Sequence, residues 1–177
     1  MENTTQNAHS PRSSSSFWFM NKIANPFVHL ILSSPLNGWM SNSLLLITYR
    51  GRKSGKKFTV PVQYVQSGNC LYIIPGVADQ KTWWRNLRGG APVEVTLRGH
   101  HLQAFAEVLT CERDSGVIEE GLKLFLGRFP AAIRLHSIHL HANGTMDEED
   151  LRRASISVVL VRVILKQTEN SRIEMPK

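Results

Sequence analysis

Residues 44–65 read LLLITYRGRKSGKKFTVPVQYV and carry the strongest indication of how the chain folds. The apolar run 44–49 ends in β-favouring residues, which predicts a strand. Residues 58–65 place apolar side chains at every second position from Phe58 to Tyr64, so a second strand with one buried face is expected. The glycines and cations between the two runs predict a connecting loop.

Short apolar runs and turn signals continue along the chain in the same manner. The last run, 156–165, is apolar on both faces except for Arg162, which is typical of a strand buried within a closed sheet. The pattern predicts a mainly β (α+β) fold, an antiparallel barrel with peripheral helices. The predicted strands are 44–49, 58–65, 70–74, 93–98, 102–109 and 156–165, and the predicted helices among them are 83–87, 114–126 and 147–153.

The chain length of 177 residues favours a single hydrophobic core. Residues 1–16 are polar and lack a hydrophobic period, so a disordered tail is expected there. A single barrel domain with an N-terminal helix is expected over 17–166, followed by a flexible tail at 167–177. The polar start does not match a secretory signal, which favours a cytoplasmic location.

The segment 17–33 has two open interpretations. Its apolar residues follow helical spacing, with Pro26 interrupting the middle. Trp18, Phe19 and Lys22 suit a helix at a membrane interface, whereas a helix packed over a barrel end has the same pattern. Peripheral association with the inner face of the membrane is therefore an expectation beside the cytoplasmic one.

The charge of the chain favours anionic partners. Its 21 Lys and Arg residues exceed its 14 Asp and Glu residues, giving a net charge of +7, which suits nucleic acid, anionic lipid or a phosphorylated cofactor. Five of the cations lie in one glycine-bracketed loop, 50–57, and this concentration argues against nucleic acid. Such a loop can hold a phosphate or carboxylate tail through Arg, Lys and backbone N–H groups. A solvated hairpin loop is the alternative for the cation run taken by itself.

Two further features favour a ligand beside this loop. Pro61 interrupts a strand pattern and cannot donate a ladder hydrogen bond, so either the strand is an edge strand or a flat ligand lies against Pro61 and Val62. Trp83 and Trp84 point about 100° apart on a helix, so one is expected in the core and the other at a cleft. Asn86 offers both donors and an acceptor to a polar ring edge or to the local backbone.

Taken in order, Gly51-Arg52-Lys53-Ser54-Gly55, Val60-Pro61-Val62, and Trp83 with Asn86-Leu87 resemble the deazaflavin-dependent nitroreductase family. The resemblance covers roughly 44–98. It implies a split β-barrel, related to FMN-binding proteins, that binds the reduced deazaflavin coenzyme F-420. It also implies an enzyme, an oxidoreductase that passes hydride from this coenzyme to a quinone, a nitroaromatic or a similar electron-poor small molecule.

The resemblance also implies roles for individual residues. It places the phosphate and glutamyl tail at the basic loop, the deazaflavin ring on the strand after it, and a far wall at the short helix. Two departures from the family pattern stand at Ile74-Pro75-Gly76-Val77-Ala78, in place of a small-residue stretch, and at Trp84, in place of a tyrosine. The implied cofactor-binding residues are Arg52, Lys53, Ser54, Gly55 and Lys57 for the tail, Pro61 and Val62 for the ring, and Trp83 and Asn86 for the wall.

Several alternatives stay open at this point. The same fold also suits FMN, heme or a lipid in a binding protein without turnover, and no residue of the sequence stands out as an obligatory catalytic acid or base. A homodimer is expected by analogy with related barrels. Cys70 and Cys111 lack metal-binding spacing. The histidines at 100, 101, 136, 139 and 141 lack it too, so no metal is expected and solvated or capping roles are preferred.

Overall fold

A computed structural model describes residues 43–76 and 78–166, which lie in one compact unit, Gly38–Lys177. The strands of this part are β1 (Leu44–Arg50), β2 (Lys57–Gln63), β3 (Val65–Ser67), β4 (Cys70–Ile73), β5 (Ala91–Leu97), β6 (His100–Leu109) and β7 (Leu160–Leu165). A 3-10 helix spans Trp83–Leu87, and the α-helices are α1 (Cys111–Arg128), α2 (Ala131–Leu135) and α3 (Glu148–Ser157).

The order of the strands requires the sheet to curl. All neighbours pair antiparallel in the order β2-β1-β5-β6-β7-β4-β3. β2 and β3 therefore lie at opposite edges of the sheet, yet Tyr64 alone separates them along the chain. Because one residue spans only about 3.5 Å, the two edges must meet at Tyr64. The predicted mainly β fold, a split antiparallel barrel with peripheral helices, is confirmed.

The core of the barrel consists of the alternate side chains that face inward from the strands. Leu45 and Ile47 of β1 are almost fully buried, as are Val95 of β5 and Val163 of β7. Each such side chain contributes about 1.5–3 kcal/mol relative to full exposure. A second apolar cluster holds the helices together and includes Leu122, Leu126, Ile133, Ile138 and Leu151.

The prediction of a strand over 156–165 is wrong at its start. Ile156 and Ser157 belong to α3, and β7 begins only at Leu160. Asp147 caps α3, since its side chain accepts a hydrogen bond from the backbone N–H of Asp150 at 2.9 Å, and the helix so started continues through Ile156. The Ile156 side chain is 67% exposed. This exposure does not fit a strand that is buried on both faces.

The other predicted elements are close to those observed. The predicted strand 58–65 is divided at Tyr64 into β2 and β3, and α1 begins at Cys111 with a kink at Asp114, where the prediction began. The short helix α2 was not predicted. The predicted tails 1–16 and 167–177 and the helix at 17–33 lie outside the described residues. Among the residues that are described, no helix is long and apolar enough to cross a membrane.

Candidate functional site

The basic loop, residues 50–57, is a short closed turn between β1 and β2. Arg50 pairs with Lys57 at its base. The N–H of Gly51 donates to the carbonyl of Lys56 at 2.9 Å, and the N–H of Gly55 donates to the carbonyl of Gly51 at 2.8 Å. Gly55 has a φ of +65°, a left-handed conformation that favours glycine. The backbone therefore folds back on itself and directs the charged side chains outward.

Gly51 is needed for a different reason, namely close packing. A Cβ atom at this position would lie 2.8 Å from Oγ of Ser54 and 2.9 Å from the ring of Phe58. The Ser54 hydroxyl also accepts a hydrogen bond from the N–H of Lys56 at 3.3 Å. The loop is thus held by backbone and hydroxyl contacts, while Arg52, Lys53 and Lys57 remain exposed.

The cations of the loop differ in how far they are already engaged. Arg50 Nη1 donates to the carbonyl of Gly55 at 3.3 Å. Lys57 Nζ lies 2.9 Å from Oε1 of Glu94 on β5, and the hydrogen bond from Lys57 lowers the pKa of the Glu94 carboxyl. Within the described part of the chain, Lys53 has no hydrogen-bond or ion-pair partner. Its ammonium group is therefore the one most available to an incoming anion.

The 3-10 helix holds the loop from the side. Oδ1 of Asn86 accepts a hydrogen bond from the backbone N–H of Arg52 at 3.0 Å, and Nδ2 of Asn86 donates to the carbonyl of Trp83 at 3.0 Å. The guanidinium of Arg52 also donates from Nη1 to the carbonyl of Arg88 at 3.2 Å. Two segments more than 30 residues apart in sequence are thereby joined at the start of the loop.

The two tryptophans differ in burial, as the sequence analysis expected. Trp84 is buried at 5% exposure, and its indole N–H donates to the carbonyl of Ala78 at 3.0 Å. Trp83 is only partly buried, and its ring centroid lies 6.3 Å from that of Tyr49. Burial raises the pKa of the Tyr49 phenol. The neighbouring rings of Tyr49 and Trp83 form an aromatic surface that extends from the core to the side of the basic loop.

β2 is an edge strand. Its position at the edge accounts for a proline within the strand, because Pro61 needs no ladder partner on that side. In the ladder with β1, Pro61 lies opposite Leu46, and its ring is exposed. Val62 points the other way, into the barrel core. Only the backbone of Val62 is therefore available to a ligand on the outside, whereas Pro61 and Lys57 share the outer face of the strand.

A cavity lies behind the 3-10 helix, with a volume of about 420 Å³. It is lined by Trp84 and Arg88, by the start of α1 and by the connection from α3 to β7. The guanidinium of Arg88 lies over the Trp84 ring, 4.9 Å from its centroid, a cation–π distance. None of the nine residues assigned from the family resemblance lines this cavity.

His139 lies in a second polar region, which is centred on the buried carboxylate of Asp150. Asp150 accepts hydrogen bonds from the backbone N–H of His139 at 2.9 Å and from its Nδ1 at 2.5 Å, and its other oxygen lies 2.8 Å from Nη2 of Arg153. The bond from the His139 backbone is the main cause of the lowered pKa of Asp150. Within residues 43–76 and 78–166, no three His, Cys, Asp or Glu side chains are placed to hold a metal ion.

The sequence analysis missed three contributors to the region around the loop. These are the Glu94 carboxylate, the carbonyl of Arg88 and the ring of Tyr49. Glu94 was not identifiable because its partner depends on the register of β5 against β1, which alternation alone does not give. Tyr49 did carry a signal, since it is the last inward position of β1 before the loop.

Comparison with known proteins finds a family to which part of the chain is similar. Residues 32–117 match the model of the F420H(2)-dependent quinone reductase family. This part of the chain is similar to F420H2-dependent oxidoreductases. All nine residues assigned from the sequence lie within the matched range, and the predicted enzyme class, reduced F420 cofactor and small-molecule acceptor agree with this family.

A search of curated proteins found no match. Among solved structures, the chain is similar to an F420-H2 dependent reductase (FDR-A), with 19% identity, a TM-score of 0.47, and coverage of 69% of this chain and 93% of that one. A domain-swapped dimer matches with 18% identity, a TM-score of 0.49, and coverage of 85% and 99%. A 5-nitroimidazole antibiotic resistance protein, so named provisionally, from Bacteroides thetaiotaomicron matches with 13% identity, a TM-score of 0.42, and coverage of 75% and 78%.

Proposed function

We propose that this chain binds reduced F420 along β2 and the basic loop and transfers its hydride to a quinone. The observation that carries this assignment is that one edge strand bears an exposed cation cluster at its start and an exposed Pro61 further along. Lys57 and Pro61 are four residues apart, about 13 Å along a strand. A ligand with a flat ring at one end and an anionic tail at the other would use both features.

The tail has a fitting set of donors at the loop. In this proposal Lys53 supplies the free ammonium, Arg52 supplies the guanidinium N–H groups not used by Arg88, and Ser54 and Gly55 supply the turn that brings them together. Lys57 contributes by exchanging part of its contact with Glu94 for the ligand. Charge-assisted hydrogen bonds of this kind are about twice as strong as neutral ones.

The ring is proposed to lie against Pro61 and the backbone of Val62. An edge strand leaves backbone N–H and C=O groups on one side without a neighbouring strand, and these can hydrogen-bond a polar ring edge. Trp83 would form the far wall, and Asn86 would complete that wall from the 3-10 helix.

The bound deazaflavin supplies the hydride, and the protein supplies binding and orientation. Reduction of a quinone to a hydroquinone consumes this hydride together with one proton drawn from solvent. The partly buried Trp83 would exclude water from one side of the ring. Holding both reactants in contact lowers the entropic part of the barrier.

A binding titration tests this assignment. Purified protein is titrated with F420 and, separately, with FMN, and quenching of the fluorescence of its four tryptophans is recorded. Saturable quenching by F420 at lower concentration than by FMN is the expected result. Tighter binding of FMN would transfer the site to a flavin, and binding of neither would remove the cofactor assignment.

Assembly and location are separate proposals. We infer a homodimer because Phe105, Leu135, Leu140 and Ile156 are large apolar side chains left exposed, and a second copy would cover part of this area. Light scattering after size-exclusion chromatography should give twice the chain mass of 20.0 kDa.

A cytoplasmic enzyme that touches the inner face of the membrane through 17–33 would cosediment with anionic vesicles, and deletion of that segment would abolish cosedimentation.

A further inference from the structure

The side chain of Asn86 makes one hydrogen bond as acceptor and one as donor within the protein. Its side-chain oxygen accepts from the N–H of Arg52, and its side-chain nitrogen donates to the carbonyl of Trp83, both at 3.0 Å. These two bonds occupy half of the hydrogen-bonding capacity of the amide and join it to two separate segments of the chain. The role that these two bonds indicate is to hold those segments in place.

What Asn86 holds is the entry to the basic loop. The internal bonds of the loop close its base at Gly51 and Gly55, but they do not fix the loop relative to the rest of the barrel. The bond to the Arg52 N–H does so, together with the bond from the Arg52 guanidinium to the Arg88 carbonyl, and it comes from a helix in which Trp84 and Leu87 are 5% and 0% exposed. Asn86 therefore connects an exposed loop to a buried support.

The residue next to this bond is Lys53, whose ammonium has no partner within the described part of the chain. A free cation on a loose loop would lose conformational entropy when it binds an anion, and this loss subtracts from affinity. Fixing the Arg52 backbone beforehand reduces that loss. The same side chain also fixes the Trp83 carbonyl, so the tail loop and the aromatic wall share one support.

We propose that Asn86 is a positioning residue, which holds the basic loop in its anion-binding shape through Arg52 and ties it to Trp83. This inference rests on the proposed function, because it assigns to Asn86 an indirect role at the same F420 site. It differs from a direct ligand contact in two measurable ways, namely the order of the ligand-free loop and the coupling between Asn86 and Lys53.

The first test uses ligand-free protein. Hydrogen–deuterium exchange of the Arg52 amide, followed by NMR, should be slow in the wild type and faster in Asn86→Ala, because the acceptor is lost. Asn86→Asp keeps an acceptor oxygen and should restore slow exchange. The matched control is Asn143→Ala, since Asn143 accepts from the N–H of Thr145 at 3.0 Å in a different loop, and it should accelerate Thr145 but not Arg52. Equal Arg52 exchange in the wild type and Asn86→Ala would overturn the proposal.

The second test is a double-mutant cycle on F420 affinity. Loss of one net hydrogen bond to the loop should weaken binding by about fivefold to tenfold in Asn86→Ala. In that background Lys53→Ala should cost less than in the wild type, because the ammonium is no longer held in place. Additive losses would mean direct contact and overturn the positioning role. If wild-type protein fails to bind F420, the proposed function fails, whereas the exchange result still decides whether Asn86 orders the loop.

Discussion

The basic loop at 50–57 and the Asp150 cluster, formed by His139, Asp150 and Arg153, are both rich in charge, yet they differ in how many of their polar groups have a partner. Asp150 is buried and engages the backbone and ring of His139 as well as Arg153. In the basic loop, the Lys53 ammonium has no partner within the described residues. A polar cluster whose groups all have hydrogen-bond or ion-pair partners stabilises structure. An exposed ammonium group without such a partner is available to a ligand.

The largest expected effect follows from removing the available cations. Arg52→Ala combined with Lys53→Ala should weaken F420 binding by about 1.5–3 kcal/mol for each lost charge-assisted hydrogen bond. The melting temperature should change little because both side chains are exposed. Fluorescence titration measures the first quantity and circular dichroism the second.

The control for that double variant is Arg134→Ala combined with Arg152→Ala, which removes the same charge at exposed positions on the helices. It should leave affinity unchanged. Equal weakening by both pairs would indicate a general effect of net charge and would remove the special status of the basic loop.

A change in the Asp150 cluster should alter stability and leave ligand binding unchanged. The pKa of Asp150 is lowered in the folded protein, so its contribution to stability is present above the unfolded pKa and is lost as the pH falls through the folded value. Asp150→Asn should lower the melting temperature by several degrees at pH 7, and the difference from the wild type should shrink as the solution is acidified below pH 4. F420 affinity at pH 7 should remain that of the wild type.

Ionic strength provides a further contrast between the two regions. The loop cations are exposed, and the Debye length falls from about 10 Å at 0.1 M salt to about 3 Å at 1 M. F420 affinity should therefore decrease steadily over this range. Affinity that does not change with salt would show that the tail is not held by charge.

The smallest effect is expected at Glu94. Both side chains of its ion pair with Lys57 are about half exposed, and exposed pairs of this kind contribute little to stability. Glu94→Gln releases the ammonium of Lys57 and removes a negative charge near the loop, so F420 should bind about twofold more tightly. Weaker binding in this variant would mean that Glu94 itself assists the ligand.

Local patterns were enough to predict most of the strands and the barrel class. The alternation from Phe58 to Tyr64 and the apolar run before Arg50 predict β2 and β1 because side-chain direction in a strand is a local property. Ile156 shows the limit of this approach. Its apolar neighbours in sequence indicate a strand, but Ile156 lies in the helix that begins after the Asp147 cap.

The site was predictable in its composition but not in its connections. The clustering of cations at 50–57 and the position of Pro61 are visible in sequence. The bond between Arg52 and Asn86 spans 34 positions, and the pair of Lys57 and Glu94 spans 37. Neither follows from spacing, because each depends on how distant segments are brought together by the curled sheet.

An F420H2-dependent reaction at the basic loop and β2 requires both the cofactor and the exposed cations of the loop. The most direct test follows oxidation of F420H2 by absorbance, with menadione as acceptor, for the wild type and for the variant carrying Arg52→Ala and Lys53→Ala. Saturable oxidation by the wild type, with a much higher KM for F420H2 in the variant, is the expected result. No oxidation by the wild type, or equal rates and KM in both proteins, would contradict the claim.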